Sequence, residues 1–104
     1  MHLKLTTQGD TLTARLSGEL DQHSAARVRE ALEAALDDGR VKRLVFDMEK
    51  VSFMDSAGIG VILGRYRILS SRGGSMNVIN AGRNVERILR MSGVYKLCTE
   101  RSGK

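Results

Sequence analysis

The chain has no proline and no tryptophan, and it has one cysteine, two histidines and four aromatic residues in 104 positions. Each shortage removes a class of function. A lone cysteine, Cys98, makes no internal disulfide and no cysteine metal cluster. In its apolar surroundings it reads as a small buried hydrophobe rather than a reactive thiol. Neither His2 nor His23 has a second ligand at helical spacing, so no metal site and no cofactor are expected. The four aromatics, Phe46, Phe53, Tyr66 and Tyr95, fall mostly in apolar segments and leave no stacking platform for nucleic acid. No apolar run is long enough to span a bilayer. Met1-His2-Leu3-Lys4 has no signal-peptide core behind it, so a cytoplasmic protein without membrane contact is expected. Without proline, glycine and asparagine must punctuate the elements.

What is present is ordinary for one domain: 41% hydrophobic and 28% charged residues, with enough length for a single core. The net charge of +5 is unevenly placed. Residues 1–50 sum to −1 and residues 51–104 to +6. Arg65, Arg67 and Arg72 crowd one predicted helix, and Arg83, Arg87 and Arg90 share a face of another. A solvated basic surface ranks first, an acidic protein partner second and nucleic acid third.

Leu3 and Leu5 alternate with polar neighbours, as do Leu12, Ala14 and Leu16, and Gln8-Gly9-Asp10 turns between them. This reads as a β-hairpin. Ala25, Val28, Leu32, Ala35 and Leu36 then recur at three- and four-residue steps, predicting a helix over about 22–38. Asp21 or Ser24 is its expected cap, and Gly39 stops it. Arg43 to Asp47 reads as a central strand, followed by a loop in which Val51 and Phe53 plug the sheet edge. A second helix is predicted over about 56–72, with Ile59, Ile62, Leu63, Tyr66 and Leu69 inward and Val61 and Ile68 off that stripe. Met76 to Asn80 predicts another strand and Asn84 to Met91 a third helix. Val94 to Cys98 allows a last short strand, and residues 98–104 are expected to fray. The order ββαβαβα(β) predicts an α/β fold. It is a single domain over 1–104, with a mixed four- to five-stranded sheet and helices packed mainly on one face.

The densest chemistry lies at Ser52-Phe53-Met54-Asp55-Ser56-Ala57-Gly58-Ile59-Gly60, where a strand region gives way to a helix mouth. Gly58-x-Gly60-x-x-x-Gly64 is one residue too long for a dinucleotide fingerprint and lacks the later acid. No lysine follows Gly64 as a phosphate loop requires. Met54-Asp55-Ser56-Ala57-Gly58 resembles half a nucleophile elbow, but no histidine follows the serine. Catalysis by this chain is therefore not expected. Three glycines within seven helical residues, each costing ~1 kcal/mol against alanine, suggest a bare face meant for another protein. Ser56, at the positive end of the helix dipole, is either a cap or a hydroxyl on display.

The segments Leu16-Ser17-Gly18-Glu19-Leu20-Asp21, Leu44 to Glu49, Ser52 to Ser56, Leu63-Gly64-Arg65-Tyr66 and Met91 to Lys96 together resemble a STAS domain. The resemblance covers nearly the whole chain and is strongest to the sporulation branch of anti-sigma factor antagonists, those opposing an anti-sigma F factor. It implies that Ser56 accepts a phosphate from an anti-sigma factor that is also a serine kinase, and that a phosphatase removes it. It also implies that the unphosphorylated form binds the kinase and frees the sigma factor, with Asp21 in contact. The docking surface expected around Ser56 comprises Asp21, Asp55, Ala57, Gly58, Ile59, Gly60, Val61, Gly64 and Arg65. Ala57 stands where many relatives have a second serine, and a further C-terminal helix usual in relatives is not expected here. A monomer is expected, with a dimer open. The alternatives are an antagonist in a general stress circuit, a STAS subunit of another complex, and a nucleotide-binding or phosphotransfer enzyme.

Overall fold

The computed structural model describes residues 1–98. Strands β1 (His2–Gln8) and β2 (Thr11–Leu20) form an antiparallel hairpin. Helix α1 (Ala25–Leu36) crosses over to β3 (Arg43–Met54), which lies parallel to β2. Helix α2 (Ser56–Ser71) crosses over to β4 (Ser75–Ile79), parallel to β3. Helix α3 (Arg83–Ser92) and a single 3-10 turn (Val94–Leu97) follow. The sheet order is β1-β2-β3-β4, so two successive crossovers step the same way across the sheet. Right-handed connections then place α1 and α2 on the same side.

Alternation along the strands sets the layers. Leu12, Ala14 and Leu16 pair across the sheet with Leu44 and Phe46 of β3 and with Leu3 and Leu5 of β1. Met76 and Val78 continue the row on β4. These side chains form one buried cluster with Val28, Leu32 and Leu36 of α1, Val61, Ile62 and Leu69 of α2, and Val85 and Leu89 of α3. The opposite set, including Lys4, Thr13, Arg15, Val45 and Asn77, faces away from that core with graded exposure.

The structure corrects four expectations. Helix α1 begins three residues late, because Gln22 to Ser24 form a turn pinned by Asp21. Strand β3 does not end at Asp47 but runs to Met54, with its register to β2 shifted twice. Those shifts absorb the broken alternation and send Val51 and Met54 inward. Phe53 is consequently 48% exposed and is no plug. Helix α2 is rotated from the expected stripe: Val61 and Arg65 are buried, while Ile59, Leu63 and Tyr66 are only partly covered. The expected fifth strand is the 3-10 turn, entered through Gly93 at φ 85° and capped by Cys98. Among the described residues the sheet has four strands. Of the fraying expected over 98–104, Cys98 is instead held by its N–H to the Tyr95 carbonyl at 3.3 Å, and 99–104 lie outside the described residues.

Close packing separates the three glycines of α2. A Cβ on Gly58 would sit 2.6 Å from the Leu20 carbonyl oxygen and 2.8 Å from Met54 Cγ. At Gly60 and Gly64 a Cβ would meet nothing within 4 Å. Gly58→Ala should therefore lower stability by ~1–3 kcal/mol through overpacking. Gly60→Ala and Gly64→Ala should leave it unchanged or raise it by up to ~1 kcal/mol through helix propensity. Urea unfolding midpoints of the three variants measure the contrast, and equal losses at all three would refute it.

Candidate functional site

Parallel strands β2 and β3 both run toward one edge of the sheet, and each feeds a helix there. The carboxyl ends of parallel strands are where open α/β sheets build sites. Here that edge carries the Asp21–Ser24 turn on one side and the mouth of α2 on the other.

Asp55 is the N-cap of α2. Its Oδ1 accepts from the backbone N–H of Ala57 at 2.9 Å and of Gly58 at 3.3 Å. Its Oδ2 accepts from the N–H of Gln22 at 3.3 Å, and its own N–H donates to the Leu20 carbonyl at 3.4 Å. One residue thus caps a helix and fastens it to the β2–α1 turn. Gly58 lets the first turn of the helix lie directly on Leu20.

The turn is held as firmly from within. Asp21 Oδ1 accepts from the N–H of His23 at 3.0 Å and of Ser24 at 3.2 Å. Ser24 Oγ donates to the Glu19 carbonyl at 2.8 Å. Desolvation acts to raise the Asp21 carboxyl. It is outweighed by these N–H donors, the nearby His23 ring and the Ser24 hydroxyl, which together hold it below the ordinary aspartate value.

Ser56 is the first residue of α2 and is exposed. The capping role falls to Asp55, and the Ser56 hydroxyl makes no hydrogen bond to any described residue. Of the two readings open from sequence, a cap or a displayed hydroxyl, the geometry selects display.

Asp21, Asp55, Ser56, Ala57, Ile59 and Gly60 are all at least partly exposed where α2 begins, and Gly64 is one turn further on. Three residues expected on the docking surface are not available to it. Gly58 and Val61 are buried against the domain's own core. Arg65 is 5% exposed and lies against α1, its Nη2 3.2 Å from Glu33 Oε2. Its Nε and Nη1 face no acceptor among the described residues. Burial pushes the Arg65 guanidinium pKa down, Glu33 opposes that shift, and Arg29 adds to it.

Sequence reasoning missed Phe53 as a surface residue. It lies opposite Glu19 at the end of the β2–β3 ladder and stands out beside the helix mouth. The irregular spacing of Val51, Phe53 and Met54 was the available signal. The three arginines of α3 are exposed as expected, with Arg90 paired to Glu86 at 2.7 Å. Among the described residues no group of histidine, cysteine and acidic side chains is arranged to hold a metal ion. No described helix is long and apolar enough to cross a membrane.

This edge geometry sits in a sequence that the STAS domain model matches over residues 2–101. The chain belongs to the STAS domain family. The anti-sigma F factor antagonist of Paenibacillus polymyxa is 37% identical over 97 residues, 93% of this chain and 83% of that protein. The unphosphorylated anti-sigma factor antagonist SpoIIAA superposes with a TM-score of 0.74 at 31% identity, over 86% of this chain and 83% of its own. The phosphorylated form of the Bacillus cell fate determinant SpoIIAA superposes with a TM-score of 0.78 at 29% identity, over 99% of this chain and 92% of its own.

Asp55→Ala should destabilise this STAS domain by ~1–2 kcal/mol, the usual size of a lost cap. It should also speed amide exchange at Gln22, Ala57 and Gly58 together. Faster exchange at Ala57 and Gly58 alone would show that the helix mouth and the turn are not fastened by this carboxylate. The Asp21 carboxyl should titrate below 3.8 in a carbon-detected NMR titration. The turn favours its ionised form, so its contribution is present above that value and disappears as the pH falls through the lower folded midpoint.

Proposed function

We propose that the chain is an anti-sigma factor antagonist whose binding is switched at Ser56. Its partner is an anti-sigma factor with serine kinase activity. The unphosphorylated form binds that partner and releases the sigma factor, and a phosphatase restores the form that binds. The chain is then a substrate rather than an enzyme, and the exchange takes place in the cytoplasm. The observation that carries this reading is the exposed Ser56 hydroxyl beside a cap that is already filled. The names of the relatives supply the partner class.

The physics of the switch follows from the site. A phosphate on Ser56 brings a charge of about −1.5 to −2. The dipole of α2 stabilises it by roughly 0.3–1 kcal/mol, so the fold tolerates it. The capping N–H groups of Ala57 and Gly58 are held by Asp55, so the phosphate does not need to displace the backbone. A partner covering Ala57, Ile59 and Gly60 must strip water from that charge. Each partner carboxylate near 4 Å adds ~1–4 kcal/mol of repulsion. Phe53 offers that partner an apolar anchor at the same edge.

Incubation with the cognate kinase and ATP should add one phosphate, mapped by mass spectrometry to Ser56, and Ser56→Ala should abolish it. Ser56→Asp should keep the circular dichroism spectrum and unfolding midpoint while losing most kinase affinity. A phosphate found only elsewhere would reject the assignment. An unfolded Ser56→Asp protein would show that fold and switch are not separable.

A further inference from the structure

Among the described residues all three helices pack on one side of the sheet, and none covers the other side over β1, β2 and β3. On that side Lys4 of β1 stands opposite Arg15 of β2, and Arg15 opposite Asp47 of β3. The register then slips, so that Ser17 faces Lys50. Glu49 and Lys50 are consecutive exposed residues between buried Met48 and Val51. A bulge of this kind re-aims side chains and locally opens the ladder. It leaves a cleft of about 590 Å³ bordered by His2, Lys4, Arg15, Asp47, Glu49 and Lys50. That volume is in the range of small-molecule sites.

The charges in the cleft are not balanced. Asp47 is nearly buried and fully engaged. Its Oδ2 lies 3.4 Å from Arg15 Nε, and its Oδ1 accepts from Asn80 Nδ2 at 3.2 Å and from the Glu49 N–H at 3.1 Å. Asn80 reaches it from a left-handed backbone position, φ 61°, just past the end of β4. Asp47 meets Arg15 through Nε alone, and the Arg15 side chain stays 61% exposed. Lys4 and Lys50 have no ion pair among the described residues. With Arg15 paired to Asp47, the two unpaired cations Lys4 and Lys50 face the single carboxylate of Glu49, so the cleft carries a net charge of +1 beside His2.

The geometry points to a binding site for a small, multiply charged, phosphate-bearing anion on the bare face of the sheet, held by Lys4, Arg15 and Lys50. A guanidinium paired at Nε leaves its terminal N–H groups as a fork that fits phosphate oxygens, and lysines flank it as point charges. The three cations come from three adjacent strands, at about 4.8 Å per strand. They span roughly 10 Å, which suits two or three linked phosphates better than one. The cleft has no Phe, Tyr or Trp in its lining, so beyond the one ring of His2 it lacks the stacking surface that single-stranded nucleic acid uses. The site lies across the sheet from the helix layer and does not involve Ser56.

The test is a titration of the full chain with sodium tripolyphosphate at roughly 0.15 M ionic strength, where exposed charges are largely screened. Calorimetry and amide chemical shifts are the readouts. Saturable binding is expected, with shifts concentrated at residues 2–4, 15–17 and 47–50. Lys50→Ala and Lys4→Ala, both exposed positions, should each weaken it about tenfold, whereas Ser56→Ala should not change it. Inorganic phosphate should bind more weakly. A nucleoside triphosphate run in parallel separates the two sources of this chemistry, since only added base recognition would make it the tighter ligand. Shifts spread equally over Arg83, Arg87 and Arg90 would overturn the proposal. So would lysine variants that bind as the wild type, or tighter binding of an acidic peptide or a single-stranded oligonucleotide to the same residues.

Discussion

The Asp55 carboxylate accepts N–H groups from two separate parts of the chain, Ala57 and Gly58 on one side and Gln22 on the other. Much of the arrangement at this edge depends on that sharing. The first turn of α2 lies on the end of β2 because residue 58 has no side chain, and the carboxylate holds it there. The β2–α1 turn, itself tied through Asp21 and Ser24, is thereby held in register with the helix mouth. Two loops that would otherwise move independently present one surface.

The same bonds set the state of the neighbouring serine. At most helix starts a serine hydroxyl would be drawn to the unpaired N–H groups. Here those donors are already engaged, so the Ser56 hydroxyl is turned out with no internal competitor. A residue that serves the fold nowhere can be modified without disturbing it. This division of labour between adjacent residues keeps the cap of α2 independent of the Ser56 hydroxyl.

Much of this was legible in the sequence. The hairpin, the order of strands and helices and the packing of helices on one face follow from alternation and three-to-four spacing, and the STAS segments carry the family. The structure brings Ser56, Asp21 and Asp55 together where β2 and β3 end. The errors have physical causes. The stripe of α2 was read from apolar residues alone, but a buried arginine, Arg65, lies on the core side with Glu33 as partner, which rotates the helix relative to its hydrophobicity. Gly58 reads as part of a bare surface, yet Leu20 and Met54 at the ends of β2 and β3 fill the space beside it. The end of β3 looked like a loop because two register shifts break its alternation, and Phe53 was assigned to the wrong side for the same reason. The last segment is too short for periodicity to tell a strand from a 3-10 turn.

The two-layer build has a geometric consequence. The molecule is a slab with principal extents of 32, 29 and 20 Å, and the helix mouth sits on its rim rather than on either broad side. A protein gripping the rim occupies little of the perimeter. The two broad sides, one of helices and one of strands, are thus set apart from the Ser56 hydroxyl.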